Sequence, residues 1–215
     1  MVDVIVKFLH LINVITAYKP TAYSKLIRSS TKQKHDLIES HPFIKQIIKG
    51  TLNDEAYAAY LFNLSYIYRD IEHNFYSEIN GMDLIQTKKI LHDIESYKKF
   101  LNLNSDVFCA CFYNDWLNHI KSKPKFFRKT DLYIRWLADM YGGQIIKRKV
   151  RFGTKYVFDD LRIKIKKIRH FIEQGLNHNN IQMFIDEINT SYDLHYKLVD
   201  QLSTYYNIEN LKHQL

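Results

Sequence analysis

The stretch Arg135-Trp-Leu-Ala-Asp-Met-Tyr-Gly-Gly-Gln-Ile-Ile-Lys147 sets two adjacent glycines, Gly142 and Gly143, inside a run that otherwise reads as helix. Each interior glycine costs a helix about 1 kcal/mol relative to alanine, so the pair gives up roughly 2 kcal/mol of local stability. Two arrangements offset such a loss. Either the pair kinks the helix so that another helix crosses closely, or bare backbone lets a flat, bulky object lie against it. Taken alone, the pair favours the kink. The remaining glycines, Gly50, Gly81, Gly153 and Gly175, fall where the apolar pattern breaks, as helix terminators do.

Outward from that stretch the pattern stays helical. Three prolines and six glycines in 215 residues are too few for the tight turns of a sandwich or barrel, and the fold class is all-α. Helices are expected over about 24–40, 43–49, 54–79, 84–101, 105–121, 129–150, 158–174 and 179–205, a bundle of seven or eight. A hydrophobic content of 46% with no Ser-rich or Pro-rich linker predicts a single domain over 21–215. It is preceded by an N-terminal extension, 1–20, read as a further packing helix. The apolar opening from Val2 to Ile15 is broken by Asp3, Lys7 and His10 and is shorter than a membrane span, so no transmembrane anchor is expected.

Cys109 and Cys111 are too close for an ordinary structural disulfide and lack the further ligands of a zinc site, which suggests a reducing, cytoplasmic setting for a soluble monomer. The formal charge of +8 suits an anionic ligand or an acidic protein, and no nucleic-acid motif accompanies it. Arg162, Lys164, Lys166, Lys167 and Arg169 form the densest cationic run. In the first helix, Arg28, Lys32, His35 and Glu39 are spaced by four, three and four residues and share one stripe. The aromatics Tyr57, Tyr60, Phe62, Tyr66, Tyr68 and Phe75 read as core filling between helices.

Two motifs carry a family resemblance. Ser30-Thr-Lys-Gln-Lys-His35-Asp-Leu-Ile-Glu39, followed by Pro42-Phe43-Ile-Lys-Gln-Ile-Ile-Lys-Gly50, resembles the proximal helix of the heme oxygenases. Tyr133-Ile-Arg135-Trp-Leu-Ala-Asp139-Met-Tyr-Gly142-Gly143-Gln144 is similar to their distal helix. Tyr66-Ile-Tyr68-Arg-Asp-Ile-Glu72 and Phe184-Ile-Asp-Glu-Ile-Asn-Thr-Ser-Tyr192 fit as well, so the likeness runs from about Ser24 to Leu202.

The resemblance implies a heme oxygenase-like bundle that binds heme b as substrate and prosthetic group. With O2 and an external electron donor it would yield biliverdin, carbon monoxide and ferrous iron. His35 matches the axial iron ligand, and Glu39 can orient its imidazole, since a carboxylate one turn away fixes tautomer and ring direction. Arg28 and Lys32 match contacts to the propionates. On the distal side, Gly142 and Gly143 would let the helix lie on the porphyrin, Asp139 matches the residue that organises proton delivery, and Arg135 and Tyr133 match further distal and propionate-side positions. A ferredoxin or a flavoprotein reductase is the implied partner, with the basic run as its docking surface.

The chain departs from the pattern in three places. Ala138 stands where glycine is usual, Tyr141 where a small residue is usual, and His195 where a polar residue is frequent. The second propionate contact within the basic run stays open. So do three other readings: a heme carrier or sensor without oxygenase activity, a non-heme di-iron oxidase built on Asp70-Ile-Glu-His73, and a thiaminase-like enzyme using Cys109 or Cys111.

Overall fold

The computed structural model describes residues 21–103 and 113–208. The expected N-terminal packing helix, the start of the helix expected from Ser105, and both cysteines lie outside the described residues. Ten α-helices and two short 3-10 turns are present among the described residues, and no strand. In chain order they are α1 (Ala22–Ser40), α2 (Pro42–Lys49), α3 (Asp54–Asn74), α4 (Tyr76–Gly81) and α5 (Thr87–Leu101), followed by α6 (Asn114–Ser122), α7 (Lys129–Tyr141), α8 (Gly143–Ile146), α9 (Leu161–Glu173) and α10 (Ile181–Tyr205). None of the described helices is long and apolar enough to cross a membrane.

Local chemistry sets the boundaries of the first three helices. The Thr21 hydroxyl accepts from the Ser24 amide and the Asn53 side chain from the Ala56 amide, each satisfying a donor that a helix start leaves free. Pro42 occupies the first turn of α2, and Gly50 closes that helix at φ 75°, a left-handed cap that suits glycine. Two expected helices are shorter than the pattern suggested. The 54–79 helix breaks at Phe75 (φ −126°, ψ 29°), where the fully buried ring turns inward to meet Phe171 edge-on at 5.6 Å. The 129–150 helix ends as α7 at Tyr141, and Gly143–Ile146 forms a separate turn.

The core runs between α3 and its neighbours. Tyr57, Tyr60, Tyr68 and Phe75 are buried as expected, while Phe62 and Tyr66 lie at the edge, Tyr66 stacked on Tyr113 at 4.1 Å. Helix α3 packs on α5, and both α1 and α7 pack against α10, which holds the stripe of α1 and the glycine-bearing end of α7 in one region of the bundle.

Candidate functional site

Helix α1 buries Ser24, Ile27, Thr31 and Ile38, so the rotation that serves the core turns Arg28, Lys32, His35 and Glu39 outward. The His35 side chain is 47% exposed. Its Nε2 stands 3.7 Å from Glu39 Oε1 and its Nδ1 stands 3.8 Å from Asp36 Oδ1, both beyond hydrogen-bonding reach. The imidazole therefore has a carboxylate on either side and a nitrogen free for a ligand. Tyr192 of α10 presents its ring edge-on to the imidazole at 6.0 Å. Lys32 is turned to Asp36, and that hydrogen bond holds the Asp36 carboxyl below its ordinary range.

On α7, Ala138 and Gly142 are exposed and one turn apart, leaving a strip of helix surface almost without side chains. A Cβ on Gly142 would meet only the Ala138 carbonyl oxygen, at 3.4 Å. Gly143 is buried and points the other way: a Cβ there would lie 2.3 Å from Cδ1 and 2.9 Å from Cε1 of Tyr156. The two glycines thus serve different neighbours, one open surface and one packed ring. Gly142 itself keeps helical angles (φ −68°, ψ −34°), so no left-handed turn explains it.

Beneath the strip lies a buried polar group. Asp139, 3% exposed, accepts the Tyr68 hydroxyl on Oδ2 and has Lys155 Nζ 3.2 Å from both carboxylate oxygens. Arg135 Nη2 is 3.9 Å from Asp139 Oδ1, and its guanidinium lies over the Tyr68 and Trp116 rings at 5.9 Å. Arg135 faces inward, toward His195, whose Nε2 is 2.9 Å from the Tyr60 hydroxyl. Burial pushes the Tyr68 hydroxyl well above its ordinary value, with the neighbouring Asp139 adding to the effect. Burial, reinforced by Arg135 and Lys155, pushes His195 well below its own, which keeps that imidazole neutral. Burial opposes the charge on Arg135, but Tyr68, Tyr60 and Asp139 around it more than offset that.

At the junction of α1, α7 and α9, the Tyr133 hydroxyl lies near the Thr31 side chain, whose own hydroxyl donates to the Ile27 carbonyl at 2.8 Å. Burial raises the Tyr133 pKa, and Arg169 and Arg28 work against that rise. Of the basic run, Arg169 reaches this junction: Nη1 donates to Ser24 Oγ at 3.2 Å, and the guanidinium covers the Tyr141 ring at 5.5 Å. Tyr141 therefore gives Arg169 a face to stack on, a physical reason for an aromatic at that position. Lys164 pairs with Asp83 at 2.6 Å, while Arg162, Lys166 and Lys167 are exposed.

The sequence pattern did not reveal Lys155 and Arg169 as neighbours of the site. The first lies in a turn outside both motifs, and the second is one of five similar cations. The Asp70-Ile-Glu-His73 motif gathers no metal site. Its Glu72 accepts the amides of Gln86 and Thr87, and His73 is exposed. Among the described residues, the one group of three potential metal ligands is His35, Asp36 and Glu39, whose ligand atoms lie within 4.8 Å of one another on the surface.

Residues 21–201 match the heme oxygenase family. The chain is 24% identical over 201 residues to a heme oxygenase of Porphyra purpurea, covering 83% of this chain and 85% of that protein. It is 25% identical over 208 residues to heme oxygenase 2 of Synechocystis, covering 85% of this chain and 83% of the relative. The fold is similar to that of heme oxygenase-1 from Synechocystis, solved in complex with heme, with a TM-score of 0.71 at 19% identity over 87% of this chain and 94% of that one. It is also similar to the heme oxygenase of Leptospira interrogans, with a TM-score of 0.69 at 19% identity over 84% of this chain and 100% of that one. The chain belongs to the heme oxygenase family, and it is an all-helical enzyme of that class.

Proposed function

We propose that this chain cleaves heme with His35 as the axial ligand on α1 and the Ala138–Gly142 strip of α7 as the opposing wall. The observation that carries this reading is the pairing of an exposed imidazole flanked by carboxylates with a helix surface stripped of side chains over a buried aspartate. The donor set fits the group: a neutral imidazole suits heme iron, and whichever ring nitrogen ligates, a carboxylate stands beside the other, Asp36 at Nδ1 or Glu39 at Nε2, to fix the orientation of the ring. Heme, when bound, would supply both the iron and the oxidisable ring, and with O2 and electrons from an external donor the products would be biliverdin, carbon monoxide and ferrous iron.

The protein supplies position, water exclusion and protons. Arg28, Lys32 and Arg169 offer cations to the propionates, and Tyr133 feels the charge of both arginines. Gly142 and Ala138 keep the wall thin enough for a planar ring to approach. Asp139, reached from the tyrosine side through Tyr68, is the group from which a proton enters the cleft, and Arg135 balances its charge from below. Gly143 sets the height of this wall by resting on Tyr156. Exposed Arg162, Lys166 and Lys167 form the docking face for an acidic donor, a ferredoxin or a flavoprotein reductase, and the protein works as a cytoplasmic monomer.

Hemin titration followed by ascorbate or reduced ferredoxin tests this function. A Soret band should form and then bleach as biliverdin accumulates, and His35→Ala should weaken and shift that band. Asp139→Asn should bind hemin as before but form biliverdin at least about 100-fold more slowly, the scale of a lost proton-transfer group. A Soret complex of the native chain that persists under reduction would instead make it a heme carrier.

A further inference from the structure

Lys155 is fully buried, at 0% exposure. Its place is fixed from the backbone outward. The Thr154 and Lys155 amides donate to the two oxygens of Asp93 on α5, each at 3.0 Å, which ties this turn to the bundle and sends the side chain inward. The ammonium then lies over the ring faces of Tyr68 at 4.9 Å and Tyr156 at 4.7 Å. Its hydrogen-bond acceptor is the Asp139 carboxylate.

Burying an ammonium without a partner costs several kcal/mol, so this lysine is stable in its place only while Asp139 faces it. The converse also holds. Swinging the Asp139 carboxylate toward the open strip of α7 would strand Lys155 among aromatic rings beside a second buried cation, Arg135. Lysine is a flexible point charge, so what it fixes here is the direction of its partner. The charged and titratable groups around the pair are Arg135 on α7, Tyr60 and Tyr68 on α3, Asp93 on α5, His195 on α10 and Tyr156 in the same turn.

We propose that Lys155 is a positioning residue for Asp139, a buried lysine that holds the distal carboxylate inward on Tyr68 and releases it when its own proton is lost. The proposal rests on the role assigned to Asp139 above. Burial pushes the Lys155 ammonium below its ordinary value and Asp139 opposes this, so release falls at a lower pH than the titration of surface lysines. The resulting pH dependence of turnover would belong to a lysine outside both family motifs.

The pairing is tested first on the full chain without heme, by NMR of 13Cε-labelled lysine. The resonance that vanishes in Lys155→Met should titrate below those of the exposed lysines. In Asp139→Asn it should move to still lower pH, because the supporting carboxylate is gone. No movement in Asp139→Asn would overturn the pairing whatever the chain does with heme. With hemin, Lys155→Met should keep the Soret complex, lose about 10-fold in single-turnover heme loss and lose the alkaline limb of the pH profile. In the Asp139→Asn background, adding Lys155→Met should change neither rate nor profile. An equal loss in that background would mean that Lys155 acts independently of Asp139, and an unchanged rate and profile in the single variant would refute positioning. A native chain that never turns heme over would sink the oxygenase reading and leave the lysine titration to decide the pairing.

Discussion

Alanine substitution at each member of the glycine pair should have opposite effects. At Gly143 the new methyl group would stand 2.3 Å from a ring carbon of Tyr156, far inside van der Waals contact. That ring cannot retreat cheaply. It is 2% exposed, its hydroxyl accepts from Tyr57 at 3.0 Å, and its carbonyl accepts from Gln144 at 3.0 Å. Forcing extra volume into such packing costs about 1–3 kcal/mol, and the gain in helix propensity returns at most about 1 kcal/mol. A net loss of about 1–2 kcal/mol follows, a fall in Tm of roughly 2–8 °C for a chain of this size. At Gly142 the methyl group meets only the Ala138 carbonyl oxygen at 3.4 Å, and the backbone already has helical angles. Gly142→Ala should therefore stabilise the heme-free protein by about 0.4–1 kcal/mol through the unfolded chain, while weakening hemin binding several-fold by thickening the wall. Urea unfolding with unchanged m-values, together with hemin titration, reads both. Equal effects of the two substitutions, or a reversal of their signs, would refute the division between an open face and a packed one.

Two further outcomes follow from buried groups. His41 caps α2 by accepting the Phe43 amide on Nδ1 at 3.2 Å, and burial pushes its pKa down with Asp200 opposing; His195 lies lower still. Both stay neutral in the folded chain while unfolded histidines take up protons below about pH 6.5. Stability should thus be flat near pH 7–8 and fall as pH drops from 6.5, by up to about 1.4 kcal/mol per pH unit for each histidine, with His195 the larger contributor. Urea midpoints at pH 7.5 and 5.5, compared between the native chain and His195→Gln, check this. Asp93→Ala should cost about 3 kcal/mol by leaving the Thr154 and Lys155 amides without their carboxylate, whereas Asp93→Asn, which keeps one acceptor, should cost less. Guanidinium unfolding of the two variants separates these values.

Much of the bundle is legible from residue pattern because helix formation and capping are local. The stripe of Arg28, Lys32, His35 and Glu39 follows from a 3.6-residue period, and the Asn53 and Gly50 caps from side-chain reach and φ. The break at Phe75 is not legible: no proline or glycine marks it, and it arises from a ring meeting Phe171, almost a hundred residues later. Arg135 could be placed on the distal helix from its motif, yet only packing shows that it turns inward to His195 and Tyr68.

The sequence by itself determined an all-helical chain, the pairing of His35 with Glu39, and the anomaly of two glycines beside Asp139. Only the tertiary structure decided that Gly142 faces open space and Gly143 faces Tyr156, that Tyr141 carries Arg169, and that Lys155 reaches Asp139. The physical reason is distance along the chain. Periodicity and caps act within a turn or two of helix, whereas which face of a glycine meets a ring, and which of many lysines is buried against a carboxylate, depends on segments brought together only when the core closes.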